Sequence, residues 1–371
     1  MKTSLARLSR ATSVGWIGLG AMGHPMAMNL FKKTHMAEQG QTEQPDFYFC
    51  EQSEKNAEAF LADIRKTGGE ELARRVRRVG SGKEMAQAAS RIVTMLPSTP
   101  QVEAVYLDES GGILSGIQSL PRDTAALPDP GSSSSDSVVH TVLIDQTTLD
   151  PTAAMAIAAR VHSETEGKAF MLDAPVSGGI VAASAGSLTI MFGSPSEAAT
   201  AHAVPLLQRM ARDGGVIPCG ANGTGVGVKV CNNLILAINQ IGLAEGLSLG
   251  RSLGIDPKLL HNVVNSSSGQ SWSSRVNTPL AEIEGSPGSR GFTGGFQSRL
   301  MLKDVGLALH AAHQYDLPSP LGWAAKSVYE SVCAEGDGEM ATKDFSVVLE
   351  WLKKKQAEGV ERGWKDGGPG Q

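Results

Sequence analysis

A glycine-rich turn near the start of the chain has the spacing of a dinucleotide-binding loop. Residues 18–23 read Gly-Leu-Gly-Ala-Met-Gly, directly after the apolar residues 14–17 and directly before a run with helical periodicity. In that context Gly18 permits a tight turn, Gly20 lets a pyrophosphate approach the main chain, and Gly23 lets the helix pack closely on a sheet. N–H groups at the start of such a helix bind phosphate charge. The sequence therefore predicts a cofactor-binding loop made of Gly18, Leu19, Gly20, Ala21, Met22 and Gly23.

Glu51 follows a second predicted strand. A carboxylate in this position accepts hydrogen bonds from the hydroxyls of the adenosine ribose. Its separation from Gly23 exceeds the usual ~20 residues, and the polar segment 34–45 accounts for the excess. Because Gln52 and Ser53 follow instead of an arginine, nothing obvious would hold a 2′-phosphate, and NAD is favoured over NADP. The alternative is that Glu51 only caps the next helix.

Lys229 is the candidate for proton transfer. It lies near the start of a long apolar run, and Asn233, four residues later, projects from the same helical face. Burial disfavours the charged form of a lysine and lowers its pKa toward the range that is useful for acid–base work. The alternative is a lysine whose stem packs while its ammonium group reaches water.

Two other ways of oxidising an alcohol are disfavoured by the composition. The four cysteines are far apart and form no CxxC pair, so neither a disulfide framework nor a zinc site is expected. None of the four tyrosines has a lysine four residues later, which excludes a Tyr-Lys catalytic pair. No metal is predicted, and the cysteine pattern favours a reducing compartment.

Apolar strands alternate with helical segments over the first part of the chain. This alternation predicts an α/β fold, a Rossmann-type doubly wound and mostly parallel sheet, over residues 14–220. Only helical periodicity follows, so an all-helical domain is expected at 221–355. Residues 34–45 and the low-complexity segment 121–137 look inserted and are expected in surface connections, and a frayed, disordered tail is expected at the end, from Lys353 and over 356–371.

The first 13 residues contain Lys2, Arg7 and Arg10 and no acidic residue. That composition is typical of a mitochondrial presequence, and an ordinary disordered terminus is the alternative. We therefore expect a mitochondrial matrix protein, or otherwise a cytoplasmic one.

The overall charge and hydropathy restrict the partners. Thirty-three basic and 38 acidic residues give a net charge of −5, which argues against nucleic-acid binding. No run approaches ~18 consecutive apolar residues, so no membrane span is expected. A small-molecule substrate and self-association as a dimer or tetramer are the expected interactions.

Four motifs in order resemble the 3-hydroxyisobutyrate dehydrogenases of the β-hydroxyacid dehydrogenase family, which is related to 6-phosphogluconate dehydrogenase. They are GLGAMGHPMAMNL (18–30), DAPVSGG (173–179), GTGVGVKVCNN (223–233) and MLKDVGLA (301–308). The resemblance extends from about Val14 to Leu352.

The resemblance implies a role for each matching position. Lys229 would be the catalytic acid/base and Asn233 a residue that positions the substrate. The loop of Ser177, Gly178 and Gly179 would bind the substrate carboxylate, which suits the converging N–H donors of a glycine turn. Five residues would contact the cofactor, mainly at its nicotinamide end: Leu96, Pro97, Gln101, Thr148 and Lys303. The turn Gln146-Thr147-Thr148 departs from relatives, which commonly place serine there.

The expected reaction is NAD-dependent oxidation of 3-hydroxyisobutyrate to methylmalonate semialdehyde, as in valine breakdown. An NAD(P)H-dependent reductase of a small semialdehyde or glyoxylate is the alternative. A non-catalytic dinucleotide-binding protein is disfavoured because Lys229 is present.

Overall fold

A mixed sheet of nine described strands forms the centre of the N-terminal half. The computed structural model describes residues 10–39, 44–127 and 139–360. The strands are β1 (Val14–Ile17), β2 (Phe47–Cys50), β3 (Val76–Arg78), β4 (Arg91–Thr94), β5 (Thr141–Asp145), β6 (Ala169–Asp173), β7 (Val176–Ser177), β8 (Leu188–Gly193) and β9 (Ala211–Gly220). Their order is β3-β2-β1-β4-β5-β6-β8-β7, and β9 pairs with β8.

The first six strands are parallel, whereas β8 runs antiparallel to β6 and β7. The helices between them are α1 (Gly23–Ala37), α2 (Glu54–Asp63), α3 (Gly69–Arg75), α4 (Gly82–Ala88), α5 (Thr99–Leu107), α6 (Ile113–Gln118), α7 (Pro151–Glu164), α8 (Gly179–Ala185) and α9 (Glu197–Gln208). Both faces of the sheet are covered: Val142 and Ile144 of β5 pack in one apolar cluster, and Leu143 between them packs in another. This is the doubly wound arrangement that the sequence predicts.

Local signals set the helix starts. Asp150 accepts hydrogen bonds from the N–H groups of Thr152 and Ala153 (2.9 and 3.0 Å) ahead of Pro151, as expected for a cap followed by proline. The cap of α9 is Ser196, whose hydroxyl accepts from the N–H of Ala199.

Helices make up the C-terminal half. They are α10 (Thr224–Ser252), α11 (Pro257–Asn265), α12 (Trp272–Arg275), α13 (Ser298–Gln314), α14 (Pro320–Ala334) and α15 (Val348–Ala357), with three short 3₁₀ turns. The chain divides into two compact units, Met1–Lys229 and Val230–Gln371. This division lies inside α10, between Lys229 and Val230, and the predicted boundary lies at residue 220.

Parts of three segments that were predicted as a leader, an insertion and a surface loop are buried in the described structure. Arg10 and Ser13 are buried, so residues 10–13 belong to the folded unit; of the predicted leader, only 1–9 lie outside the described residues. Within the predicted insertion 34–45, α1 continues to Ala37 and buries Thr34 and His35, and the ring of His35 lies 6.5 Å from that of Phe47 in β2. Leu127 is likewise buried inside the predicted loop 121–137, of which 128–137 lie outside the described residues.

The predicted tail begins later than expected. Residues 353–357 are helical, and Lys355 pairs with Glu335 (2.9 Å) and Glu358 (3.0 Å). These ion pairs tie the last turn of α15 to the end of α14. Residues 361–371 lie outside the described part of the chain.

One helix departs from the prediction that no segment is apolar enough to cross a membrane. By length and composition α10 is a candidate span, and 33% of its most apolar window is buried. A single helix of this kind is a weak indication, because long core helices of globular proteins meet the same criteria.

Candidate active site

The candidate residues of the first unit follow the carboxyl ends of neighbouring strands. The glycine loop follows β1, Glu51 follows β2, Leu96 follows β4, Thr148 follows β5, and Ser177 comes soon after β6. Parallel pairing aligns these strand ends, with Ile17 opposite Thr94 and Thr94 opposite Asp145. In open α/β sheets this edge is where ligands bind.

The three motif glycines have the different surroundings that a dinucleotide loop requires. Gly18 has φ +95°, and a Cβ there would clash with the main-chain oxygen of Met95. A Cβ at Gly23 would clash with the main-chain oxygen of Gly18, so this glycine permits the close approach of α1. Gly20 is exposed, with nothing within 4 Å of an added Cβ. Its outer side is therefore open to a pyrophosphate.

Glu51 is held in place by two main-chain donors. The N–H of Leu19 donates to its Oε2 (2.6 Å), and the N–H of Ser53 donates to its Oε1 (2.8 Å). Each carboxylate oxygen keeps a second lone pair for a ribose hydroxyl. The hydroxyl that caps the following helix belongs to Ser53, which accepts from the N–H of Asn56 (3.3 Å).

A groove of about 620 Å³ opens along the exposed side of the glycine loop. Its lining includes Gly20 and Ala21 of the loop and Ser184 of α8. Its size is within the usual range for small-molecule sites. Among the described residues, no group of three His, Cys, Asp or Glu side chains is arranged to hold a metal ion.

A buried hydrogen-bond network supports the loops after β4 and β5. Oδ1 of Asp145 accepts from the hydroxyls of Thr94 and Thr147, both at 2.7 Å. The Thr147 hydroxyl also accepts from the N–H of Leu96 (2.9 Å), so one threonine joins both loops. The hydroxyls of Tyr106 and Thr94 lie 3.0 Å apart. Burial raises the pKa of Asp145 to about 7, and the neighbouring carboxylate of Asp173 adds to the rise.

The predicted nicotinamide-side residues lie on the outer surface of this network. Leu96 and Thr148 are half-buried, and Pro97 is exposed. Gln101 is exposed on α5, where its amide oxygen accepts from the hydroxyl of Ser98 (2.5 Å). Gln146 belongs to the turn 146–148, where relatives commonly have serine. It is fully buried, and nothing in the structure explains the choice of glutamine there.

Ser177, Gly178 and Gly179 form a turn between β7 and α8. Gly178 has φ +137° and Gly179 has φ +66°, with nothing within 4 Å of a Cβ added at Gly179. Asn29 of α1 fixes the far end of α8, because its amide donates to the main-chain oxygen of Ala183 (2.8 Å). α1, which begins at the last glycine of the motif, is thus joined to the C-terminal end of α8.

Asp173 anchors the helix that carries Lys229. Its Oδ1 accepts from the N–H of Gly223 (2.8 Å) and its Oδ2 from the N–H of Val226 (2.9 Å). A Cβ at Gly225 would meet the main-chain oxygens of Asp173 and Met191, both at 2.7–2.8 Å. The first turn of α10 therefore lies directly against the sheet edge.

Lys229 is one turn further along the helical face of Gly225, and only 8% of it is exposed. The sequence predicted a role for Lys229 but none for Asp173, which anchors the helix. Burial raises the pKa of Asp173, and the two N–H donors oppose that rise.

In the second unit Asn233 is also held by a carboxylate. Its Nδ2 donates to Oδ2 of Asp304 (2.6 Å), and both residues are almost completely buried. The Nζ of Lys303 lies 3.3 Å from Oδ1 of Asp304. The structure thus joins two predicted residues, Asn233 and Lys303, through Asp304, which lies in the motif 301–308 and had no predicted role.

Two family models together cover nearly the whole chain. Residues 13–225 match the NAD binding domain of 6-phosphogluconate dehydrogenase, and residues 223–352 match the model described as NAD-binding of NADP-dependent 3-hydroxyisobutyrate dehydrogenase. A probable mitochondrial 3-hydroxyisobutyrate dehydrogenase of Dictyostelium discoideum is 38% identical over 93% of this chain and 92% of its own length. The chain belongs to the 3-hydroxyisobutyrate dehydrogenase family. It is an oxidoreductase with NAD as its cofactor, as the sequence predicts.

Further relatives give the same family. The mitochondrial 3-hydroxyisobutyrate dehydrogenase of Mus musculus is 38% identical over 94% of this dehydrogenase and 89% of its own chain. A 3-hydroxyisobutyrate dehydrogenase of Mycobacterium tuberculosis, solved with L-serine, superposes with a TM-score of 0.73 at 31% identity. That comparison covers 92% of this dehydrogenase and 99% of the solved chain, so the predicted fold class is confirmed.

Proposed function

We propose that this dehydrogenase oxidises 3-hydroxyisobutyrate to methylmalonate semialdehyde in valine breakdown, with Lys229 as the acid/base. The observation that carries the proposal is the anchoring of Lys229. Asp173 fixes the first turn of its helix at the strand edge that also bears the glycine loop. When bound, NAD accepts a hydride from the carbinol carbon. The protein must then supply a base for the hydroxyl proton, and a buried lysine on a fixed helix suits that task.

The substrate carboxylate is assigned to the turn of Ser177, Gly178 and Gly179. The open approach to Gly179 leaves room for an anion, and glycine turns present main-chain N–H groups to such groups. Asn233, one helical turn after Lys229 on α10, is assigned to orienting the substrate. Asp304 fixes the orientation of the Asn233 amide, because the Nδ2 of Asn233 donates a hydrogen bond to Oδ2 of Asp304.

The cofactor is assigned to two groups of residues. The loop from Gly18 to Gly23 holds the pyrophosphate, and Glu51 accepts from the ribose hydroxyls. Leu96, Pro97, Gln101, Thr148 and Lys303 complete the cofactor set. We expect Lys303→Ala to raise the apparent KM for NAD without the large loss of kcat expected at Lys229.

L-Serine is the second candidate substrate. It is also a 3-hydroxy acid, and the similar M. tuberculosis enzyme was solved with it. An assay of 3-hydroxyisobutyrate, L-serine and 3-hydroxypropionate with NAD, and of the semialdehydes and glyoxylate with NADH, tests the assignment. We expect the highest kcat/KM with 3-hydroxyisobutyrate. A higher value with serine would reassign the substrate, and a preference for glyoxylate reduction would support the reductase alternative.

The second unit carries apolar side chains that support self-association. Leu249 and Leu253 are more than 60% exposed, and Leu259 and Val263 of α11 are about half exposed. Exposed apolar surface of this kind is typical of a protein interface. We infer a homo-oligomer, which light scattering after gel filtration tests; a monomeric mass would contradict it.

Mitochondrial location is inferred from the basic, acid-free first residues and from the mitochondrial names of the two relatives. A fluorescent protein fused to the C-terminus, with the N-terminus free, tests it. Colocalisation with a matrix marker is expected, and diffuse cytosolic fluorescence would contradict the assignment.

A further inference from the structure

Arg78, the last residue of β3, lies beside the residue that we assign to the adenosine ribose. Its Nη2 donates to the main-chain oxygen of Glu51 (2.7 Å), and its Nη1 donates to Oε2 of Glu54 (2.6 Å). β3 pairs in parallel with β2, so the ends of the two strands meet at one edge. A guanidinium far away in the sequence thus borders the ribose position.

A guanidinium at this place has a chemical use that NAD does not require. The 2′-phosphate of NADP replaces one ribose hydroxyl, and an arginine near the ribose commonly accommodates it. Guanidinium groups bind phosphate through paired, charge-assisted hydrogen bonds. In this chain, however, Glu54 already pairs with Arg78, and the carboxylate of Glu51 lies on the same residue whose carbonyl Arg78 contacts.

We propose that the Arg78–Glu54 ion pair is a second determinant of cofactor choice, in addition to Glu51. Glu54 holds the guanidinium, so a 2′-phosphate meets two carboxylates and a cation that is already engaged. Removal of Glu54 makes Arg78 available to the 2′-phosphate. The inference rests on the proposed role of Glu51 in binding the ribose.

The geometry allows Glu54 to be changed without disturbing the fold. Its side chain is 69% exposed, and that of Arg78 is 34% exposed, so neither substitution opens a buried cavity. The cap of α2 is Ser53, which remains in place. Glu58, one turn further along α2 and exposed, provides a matched charge control, and Arg77 provides one for Arg78.

Calorimetric titration with NAD⁺ and NADP⁺ measures the effect as binding, independently of turnover. The variants are E51S, E54Q, E51S/E54Q and each of the last two with R78Q. We expect E54Q in the E51S background to tighten NADP⁺ binding about 10-fold, or ~1.4 kcal/mol. Adding R78Q should cancel that gain, whereas E58Q and R77Q should leave the NADP⁺ affinity within about 2-fold.

The results separate this inference from the role of Glu51. If E51S leaves the ratio of the two dissociation constants unchanged, the role of Glu51 is wrong, and the E54Q single variant then decides the matter. A gain in NADP⁺ affinity that depends on Arg78 supports the inference in either background. No gain in either background, or a gain that survives R78Q, overturns it.

Discussion

The carboxylate of Asp173 accepts a hydrogen bond from the main-chain N–H of Val226, three residues before Lys229. A second bond from the N–H of Gly223 uses the other carboxylate oxygen. An acidic group at the start of a helix complements the free N–H groups and the positive end of the helix dipole. A strand residue therefore fixes the direction in which the helix with Lys229 leaves the sheet.

Asp173→Asn should reduce kcat, because an amide offers one acceptor oxygen where two N–H donors need partners. A displacement of a catalytic group by ~1 Å costs up to about 100-fold in rate, and we expect a loss of 10-fold or more. Binding of NAD, measured by calorimetry, should change less than 3-fold. A variant with lower thermal stability but wild-type kcat would show that the bond is only structural.

Cofactor preference follows from Glu51, whose carboxylate repels a 2′-phosphate. We expect kcat/KM with NAD to exceed that with NADP by at least ~10-fold, or about 1.4 kcal/mol. Steady-state kinetics with each cofactor at saturating hydroxy acid measure the ratio. Equal values would show that Glu51 does not discriminate between them.

Asp145 should make stability depend on pH. Its pKa is about 7 in the folded protein and ~4 when unfolded, so the native state binds the proton more tightly. The stabilising contribution is complete below pH ~4 and is lost as the pH rises through 7. Asp145→Asn removes this dependence, because an amide carries no charge at any pH.

Thermal melts at pH 5 and pH 8 check this prediction. The Tm of Asp145→Asn minus that of wild type should be ~3–8 °C larger at pH 8 than at pH 5. The amide oxygen still accepts from Thr94 and Thr147, so the network survives. The same difference between variant and wild type at both pH values would refute the prediction.

Arg10 should stabilise the first unit. Its guanidinium donates to the main-chain oxygens of Ala86 (2.9 Å) and His140 (3.3 Å) and to the hydroxyl of Thr141 (2.9 Å). Arg10→Ala leaves these acceptors without that donor and should cost about 2 kcal/mol in the free energy of unfolding. Denaturant titration measures it, with the exposed Arg122→Ala as a control. Equal losses in the two variants would contradict this role.

The sequence predicted those features that depend on neighbouring residues. Alternating apolar and helical segments indicated the doubly wound sheet, and the glycine spacing located the loop after β1. β9 was missed because residues 211–220 contain three glycines and Pro218, which are unusual within strands. Pro218 is tolerated because β9 lies at an edge, where β8 is its one partner among the described strands.

Contacts between distant segments were not predictable from the sequence. Arg78 reaches Glu51 only because β3 pairs with β2, and the prediction that no arginine is available considered only the residues directly after Glu51. The burial of Arg10 likewise depends on carbonyls more than 70 residues away. Composition alone made this residue look like part of a removable leader.

The proposed mechanism is tested most directly by the rates of Lys229 variants at saturating NAD and 3-hydroxyisobutyrate. Lys229→Ala should lose ~10²–10⁴ in kcat, the contribution of a positioned acid/base. Lys229→Arg should lose kcat to a similar extent, because a guanidinium stays protonated and cannot accept the proton. NAD affinity should barely change in either variant, since the pyrophosphate loop is intact. A folded Lys229→Ala protein with kcat within a few-fold of wild type would contradict the proposed mechanism.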